Sequence, residues 1–339
     1  MTQWLKLTDE QRIITLNQAS NESGIIAKSI EKDWWVTLAL KALFQTPYAD
    51  FLIFKGGTSL SKCWKLIDRF SEDIDLALDP QVFAIEYASS PSRGYLHKLK
   101  KGGCEFTGNQ LLQALREELL NMGLAEGDFV LEAAEVKPEM PDKDPQVIFL
   151  RYRSLFDPNP YLPDEVKIEV SVRSKLEPHA AVQIQSLLYE YFPNEAYLEG
   201  PFEVTAVKPH KTFLEKAFLL HEEFAKSQRD KIRTERMSRH LYDLEKMMDT
   251  AYAVEALSNH DFYYQLIEHR KHYSGLKGID YAGLAHQEID FYPPETHIEA
   301  YQRDYNTMRE LMIYGTSLEP DELFLRIETL RERFKTAKL

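Results

Sequence analysis

The sequence predicts an α+β fold, with a mixed-sheet domain over residues 1–200 and a mostly helical domain over 201–339. Three observations predict it. Short apolar runs flank a glycine-rich turn near residue 56. Residues 166–173 (VKIEVSVR) alternate apolar and polar, as a half-buried strand does. After Pro201 the apolar spacing becomes helical, over 209–226, 234–250, 253–269, 295–314 and 320–337.

Taken in order, residues 8–21 and 24–45 read as helices, the second with a broad apolar face. It leads into a strand at 51–54. From Thr58 to Ile67 the apolar residues Leu60, Cys63, Trp64 and Ile67 follow the i, i+3, i+4, i+7 stripe of a helix. Residues 73–78 form the next strand. The run 89–109 (SSPSRGYLHKLKKGGCEFTGN), rich in Gly, Ser and Lys, reads as a mobile loop. A helix follows at 109–122, then strands near 129–136 and 146–153. In 166–173, Val166, Ile168, Val170 and Val172 face one side and Lys167, Glu169, Ser171 and Arg173 the other. The stretch 272–294, with glycines and Pro293-Pro294, reads as a loop.

With 339 residues the chain is long enough for two domains. Cys63 and Cys104 give no disulfide framework, which suits a reducing cytoplasm. The N-terminus lacks a basic-then-apolar leader pattern, and no run approaches the roughly 18 apolar residues that span a bilayer. A net charge of −13 argues against a general nucleic-acid coat protein. Local basic stretches remain: Lys226 to Arg239, and His97, Lys98, Lys100 and Lys101. Each reads equally well as solvated surface.

The most informative stretch is 51–78, FLIFKGGTSLSKCWKLIDRFSEDIDLAL. Asp73 and Asp75 lie two apart on a strand, so both project from one face while Ile74, Leu76 and Leu78 bury on the other. Paired carboxylates repel unless a cation lies between them. Upstream, Gly56, Gly57, Thr58 and Ser59 offer backbone N–H groups and hydroxyls at a helix start, which suits phosphate. Together they point to a metal-bound nucleotide. Glu169, on the polar face of its strand, is a third acid; the competing reading is an exposed residue paired with Lys167 or Arg173.

These motifs resemble the polymerase-beta-like nucleotidyltransferase superfamily, and KGGTSLSKCW…RFSEDIDL resembles, more narrowly, the AbiEii-type toxin family. The similarity continues through TFLEKAFLLHEE at 212–223 and RMSRHLYDLEKM at 236–247. It implies a nucleotidyltransferase fold, an NTP-dependent transfer to an acceptor hydroxyl such as that of tRNA, and two Mg²⁺ ions. It also implies a bacterial, cytoplasmic toxin of a toxin–antitoxin or phage-defence system, with a cognate antitoxin. Carried onto this chain, Asp73, Asp75 and Glu169 would hold metal, although the superfamily usually has Asp at the third position. Lys216 would meet the triphosphate, and Asp243 would orient that lysine or accept the proton of the attacking hydroxyl. Gly56, Gly57, Thr58, Ser59, Lys62, Arg69, Ser71, Lys216 and Arg239 would form the nucleotide contacts, with Lys55 and Glu72 in support. Arg239 reads alternatively as an i, i+4 partner of Asp243. His221 and His240 read as ordinary polar neighbours, Trp34, Trp35 and Leu38 as core, and Lys32 and Asp33 as cleft lining.

Two other functions stay open. An Asp-x-Asp can hold a metal-bound nucleotide sugar in a glycosyltransferase. The same fold can also serve as a non-catalytic nucleotide- or partner-binding protein.

Overall fold

A computed structural model of the chain describes residues 2–137, 139–159 and 162–337. It is α+β, as the sequence predicts, and divides into two compact units. Met1–Cys63 with Phe70–Val207 form the sheet unit; Trp64–Arg69 with Lys208–Leu339 form the helical unit.

The sheet unit opens with α1 (Asp9–Ser23) and α2 (Ala27–Leu43). Thr8 and Gln11 close a capping box on α1, which ends at Gly24 in a left-handed conformation. From Lys28 onward α2 is buried on every side, so its broad apolar surface belongs to the core; Trp34, Trp35 and Leu38 lie there as expected. The chain then runs through β1 (Leu52–Lys55), α3 (Gly56–Lys62) and β2 (Ile74–Leu78). The expected helix from Thr58 to Ile67 is cut short. Lys65 takes a positive φ of 52°, which no helix interior accepts, and Trp64–Arg69 joins the other unit.

The expected mobile loop at 89–109 is instead largely α4 (Arg93–Phe106). Ser92 caps it by accepting from the Tyr95 N–H, and Leu99, Gly103, Cys104 and Phe106 are buried. Gly103 is a packing residue, since a Cβ there would lie 2.4 Å from Val172 Cγ1. The glycines that suggested a loop let this helix approach the sheet closely. After α5 (Leu112–Asn121) come β3 (Phe129–Ala133), β4 (Gln146–Tyr152) and β5 (Glu165–Ser171), near the expected positions. Then follow β6 (His179–Ile184), α6 (Leu187–Tyr191) and β7 (Phe202–Val207), which the sequence reading missed. The seven strands form one mixed sheet in the order β3-β4-β5-β2-β1-β7-β6. β2 pairs parallel with β5 and antiparallel with β1, and β1 pairs parallel with β7.

In the helical unit, α7 (Pro209–Phe224) starts on proline at its first turn, where the missing N–H is not needed. It packs against α8 (Ser238–Met247) and α9 (Ala251–Ser258). The single helix expected over 253–269 is two, because Asn259 ends α9 and its side chain caps α10 (His260–Tyr273) by accepting from the Phe262 N–H. α11 (Ile298–Leu311) and α12 (Pro320–Thr336) complete the unit and pack on α8. Trp64–Arg69 is stitched in by a backbone bridge from Arg69 to Ile313 and by the Tyr314 N–H donating to the Asp68 carbonyl at 3.0 Å.

Candidate active site

The turn after β1 is built around Gly56. Its φ is +80°, and a Cβ would stand 2.2 Å from Asp75 Oδ2. Only glycine lets the backbone pass so close to that carboxylate. Thr58 ties the turn to the acidic strand: its hydroxyl donates to the Asp73 carbonyl at 2.5 Å and lies 2.8 Å from Ser71 Oγ. Ser59 Oγ is buried and has no hydrogen-bond partner among the described residues. It is an unused polar atom beside the carboxylate pair's own turn.

Three acids share one face of the sheet. Asp75 lies in register with Glu169 of β5 on one side and with Lys55 of β1 on the other. Asp73 stands one residue before β2, where continuing the register sets it opposite Lys167. Ile74, Leu76, Ile168 and Val170 are buried on the opposite face, which fixes the direction of the acids. Glu169 forms an ion pair with Lys167. Burial pushes the Lys167 ammonium down, but the hydrogen bond to Glu169 and the charges of Glu169, Asp73 and Asp75 more than offset this and hold it above the usual lysine range.

Among the described residues no group of three or more His, Cys, Asp or Glu side chains is arranged to hold a metal ion as it stands. The donor chemistry nevertheless fits a hard divalent cation. Two aspartates and a glutamate supply only oxygen, and the glycine at 56 leaves Asp75 Oδ2 clear of any side chain from that turn.

Buried ion pairs on α2 brace this face. Lys32 meets Glu72 at 2.5 Å with both side chains almost fully buried, and it also donates to the Pro163 carbonyl. Glu72 immediately precedes Asp73. Lys62, at the end of α3, meets Asp33 at 2.6 Å, and Asp33 also accepts from the Leu187 N–H at 2.7 Å. Lys62 Nζ lies 3.3 Å from the Gln185 carbonyl as well, so its charge is engaged within the unit. Lys32 and Asp33 are thus buried anchors.

The helical unit holds a second cluster. Asp243, with no solvent exposure, accepts from Arg69 Nε at 2.7 Å and Nη2 at 2.8 Å, and pairs with Lys216 Nζ at 2.7 Å. Burial pushes the Asp243 carboxyl up; the charges of Arg69 and Lys216 overcome this and hold it well below the usual carboxylate range. Burial pushes Lys216 down, against the pull of Asp243 and with the push of Arg69 and Arg239. His240 is held neutral, well below its ordinary value, first by burial and then by Lys216 and Arg239. Asp243 thus holds Lys216 and Arg69 together in one buried ionic group. The Arg69–Asp243 pairing has no signal in the sequence, since the two residues stand 174 positions apart. His221 accepts from the Asp290 N–H at 3.0 Å and is structural. In the basic stretch, Lys226 and Arg233 both pair with the buried Glu223.

The structure thus sets a glycine turn beside an acidic strand of a mixed sheet, with Asp73 and Asp75 at the start of that strand and Glu169 on its parallel neighbour. The chain belongs to the family of nucleotidyl transferase AbiEii toxins of type IV toxin–antitoxin systems, whose model matches residues 38–336, nearly the whole chain. No curated protein and no solved structure matches it. No helix among the described residues is long and apolar enough to cross a membrane.

Proposed function

We propose that this family member is a Mg²⁺-dependent nucleotidyltransferase that moves a nucleotide from a nucleoside triphosphate to an acceptor hydroxyl, with tRNA as the acceptor. The observation that carries this reading is the registered approach of Asp75 and Glu169, with Asp73 alongside, next to the Gly56 turn. In the reaction the acceptor O–H bond breaks with its proton passing to solvent, the oxygen forms a bond to the α-phosphorus, the bond from that phosphorus to the α–β bridging oxygen breaks, and pyrophosphate leaves. Two Mg²⁺ ions would supply Lewis acidity to the attacked phosphate and neutralise the departing charge.

Each residue has a defined part. Asp73, Asp75 and Glu169 hold the ions. The N–H groups of Gly57 and Thr58, at the start of α3, receive phosphate oxygens. Lys32, through Glu72, keeps Asp73 in place, and Asp33, through Lys62, keeps the end of α3 in place. The family resemblance gives Lys216 and Arg239 to the polyphosphate; within the helical unit Lys216 pairs with Asp243. Lys231, exposed in the basic stretch, belongs to the surface that meets the acceptor backbone. The family membership supports action as the toxin of a bacterial, cytoplasmic toxin–antitoxin or phage-defence pair, with an antitoxin as its cognate partner.

The test is transfer itself. Purified protein is incubated with total cellular RNA, Mg²⁺ and each radiolabelled triphosphate in turn. Label should enter a tRNA-sized band for at least one nucleotide, and Asp73→Ala should abolish it while leaving the circular dichroism spectrum intact. Equal labelling by the variant would overturn the assignment.

A further inference from the structure

We infer that Lys167 is a resident counter-ion that occupies the acid cluster when no divalent ion is bound and must leave Glu169 before one can bind. The inference rests on the metal reading above. Three acids on one half-buried face repel one another, and Lys167 is the cation from β5 that reaches them, bonded to Glu169 and acting on Asp73 and Asp75. Lys167 holds Oε1 of the carboxylate that would serve a divalent ion. Ammonium and ion therefore compete, and each weakens the other's hold by the same factor.

The pairing is also placed to be broken. The Lys167 side chain is 38% exposed and that of Glu169 26%, so the pair is partly screened and carries little of the fold's stability. Lysine is a point charge on a flexible stem and can swing from carboxylate to phosphate without disturbing the strand. A polyphosphate arriving with its ion offers Lys167 a new anion at the moment Glu169 is lost. The free ion is thus bound weakly and the ion–polyphosphate complex strongly, so the site loads when the nucleotide arrives.

The experiment compares wild type, Lys167→Met and Lys167→Arg by calorimetric titration with Mn²⁺ alone and with preformed Mn²⁺–tripolyphosphate. Lys167→Met should bind free Mn²⁺ about tenfold tighter than wild type, a coupling of ordinary size. It should bind the complex no tighter, because it has lost the ammonium–phosphate contact. Lys167→Arg, which keeps the charge, should resemble wild type with the free ion. Unchanged or weaker free-ion binding by Lys167→Met, with binding that Asp75→Asn still abolishes, overturns this inference alone. An equal gain for both probes also overturns it. Folded wild type and Lys167→Met that both fail to bind Mn²⁺ in either form would remove the metal reading, and this inference with it.

Discussion

Asp243 and Glu169 each hold a lysine, but in different surroundings. Asp243 does so with no solvent exposure, and Arg69 grips both its oxygens. Glu169 does so with 26% of its side chain in solvent and a partner that is 38% exposed. In a dry setting, charges that lose a partner cannot turn to water, so the Arg69–Asp243–Lys216 group is locked. At the sheet, water can take the place of either partner, so the Lys167–Glu169 pair is exchangeable. Two clusters with the same chemical types are thus sorted by burial into one that is locked and one that can change partners.

The largest break in this comparison should come from Arg69→Leu. It leaves Asp243 with Lys216 alone at full burial and should cost about 3–5 kcal/mol of unfolding free energy in urea, whereas Lys167→Met should cost less than about 1 kcal/mol. Equal losses would mean that the sheet pair is as locked as the buried one. Next, Asp75→Asn should lower nucleotide transfer about a hundredfold or more, equivalent to about 2.7 kcal/mol of transition-state stabilisation, with little change in melting temperature. An active Asp75→Asn enzyme would move the chemistry away from the sheet. Gly56→Ala forces a side chain into a left-handed backbone and against Asp75 Oδ2, so it should cost about 1–3 kcal/mol and weaken ion binding together. A variant that keeps full stability would show that the turn relaxes more easily than its geometry indicates.

The smallest effect concerns pH. His240 is kept neutral in the fold below its ordinary value of 6.5, chiefly by burial. Below 6.5 the unfolded chain takes up the proton that folded His240 refuses, so stability is full above that pH and falls as the pH drops through it. His210, His221 and His286 are depressed in the same direction, again with burial the leading cause, and share the effect. His240→Gln should make the fall shallower without removing it, as read from urea midpoints across that range. A steeper fall would contradict a neutral His240 beside Lys216.

Much of the sheet face was legible in the sequence because a strand's period of two states directly which side chains share a side. That rule aligned Asp73 with Asp75 and set Glu169 beside Lys167 before any contact was known. It also left open the competing reading of a Glu169–Lys167 pair, and that pair is present. The failures have physical causes too. The glycines of 89–109 are turn residues by composition, yet Gly103 is selected by the approach of Val172, a neighbour that only the folded chain reveals. β6 (His179–Ile184) carries two alanines and a glutamine beside its two β-branched residues, so its own strand signal is weak, and among the described residues it pairs only with β7. The sequence was silent, rather than wrong, on the Arg69–Asp243 pair: the carboxylate comes from α8, which no local pattern around Arg69 indicates.

The six residues Trp64–Arg69 lie between the phosphate turn and the acidic strand in sequence, yet belong to the helical unit. Neither unit is therefore a contiguous cassette. A truncation at residue 207 would strand Arg69 without its carboxylate, and a fragment from 208 onward would lack the guanidinium that Asp243 needs. Gene fusions, domain swaps and split-protein reporters built at that border should fail in both directions, because each half lacks one member of the buried pair.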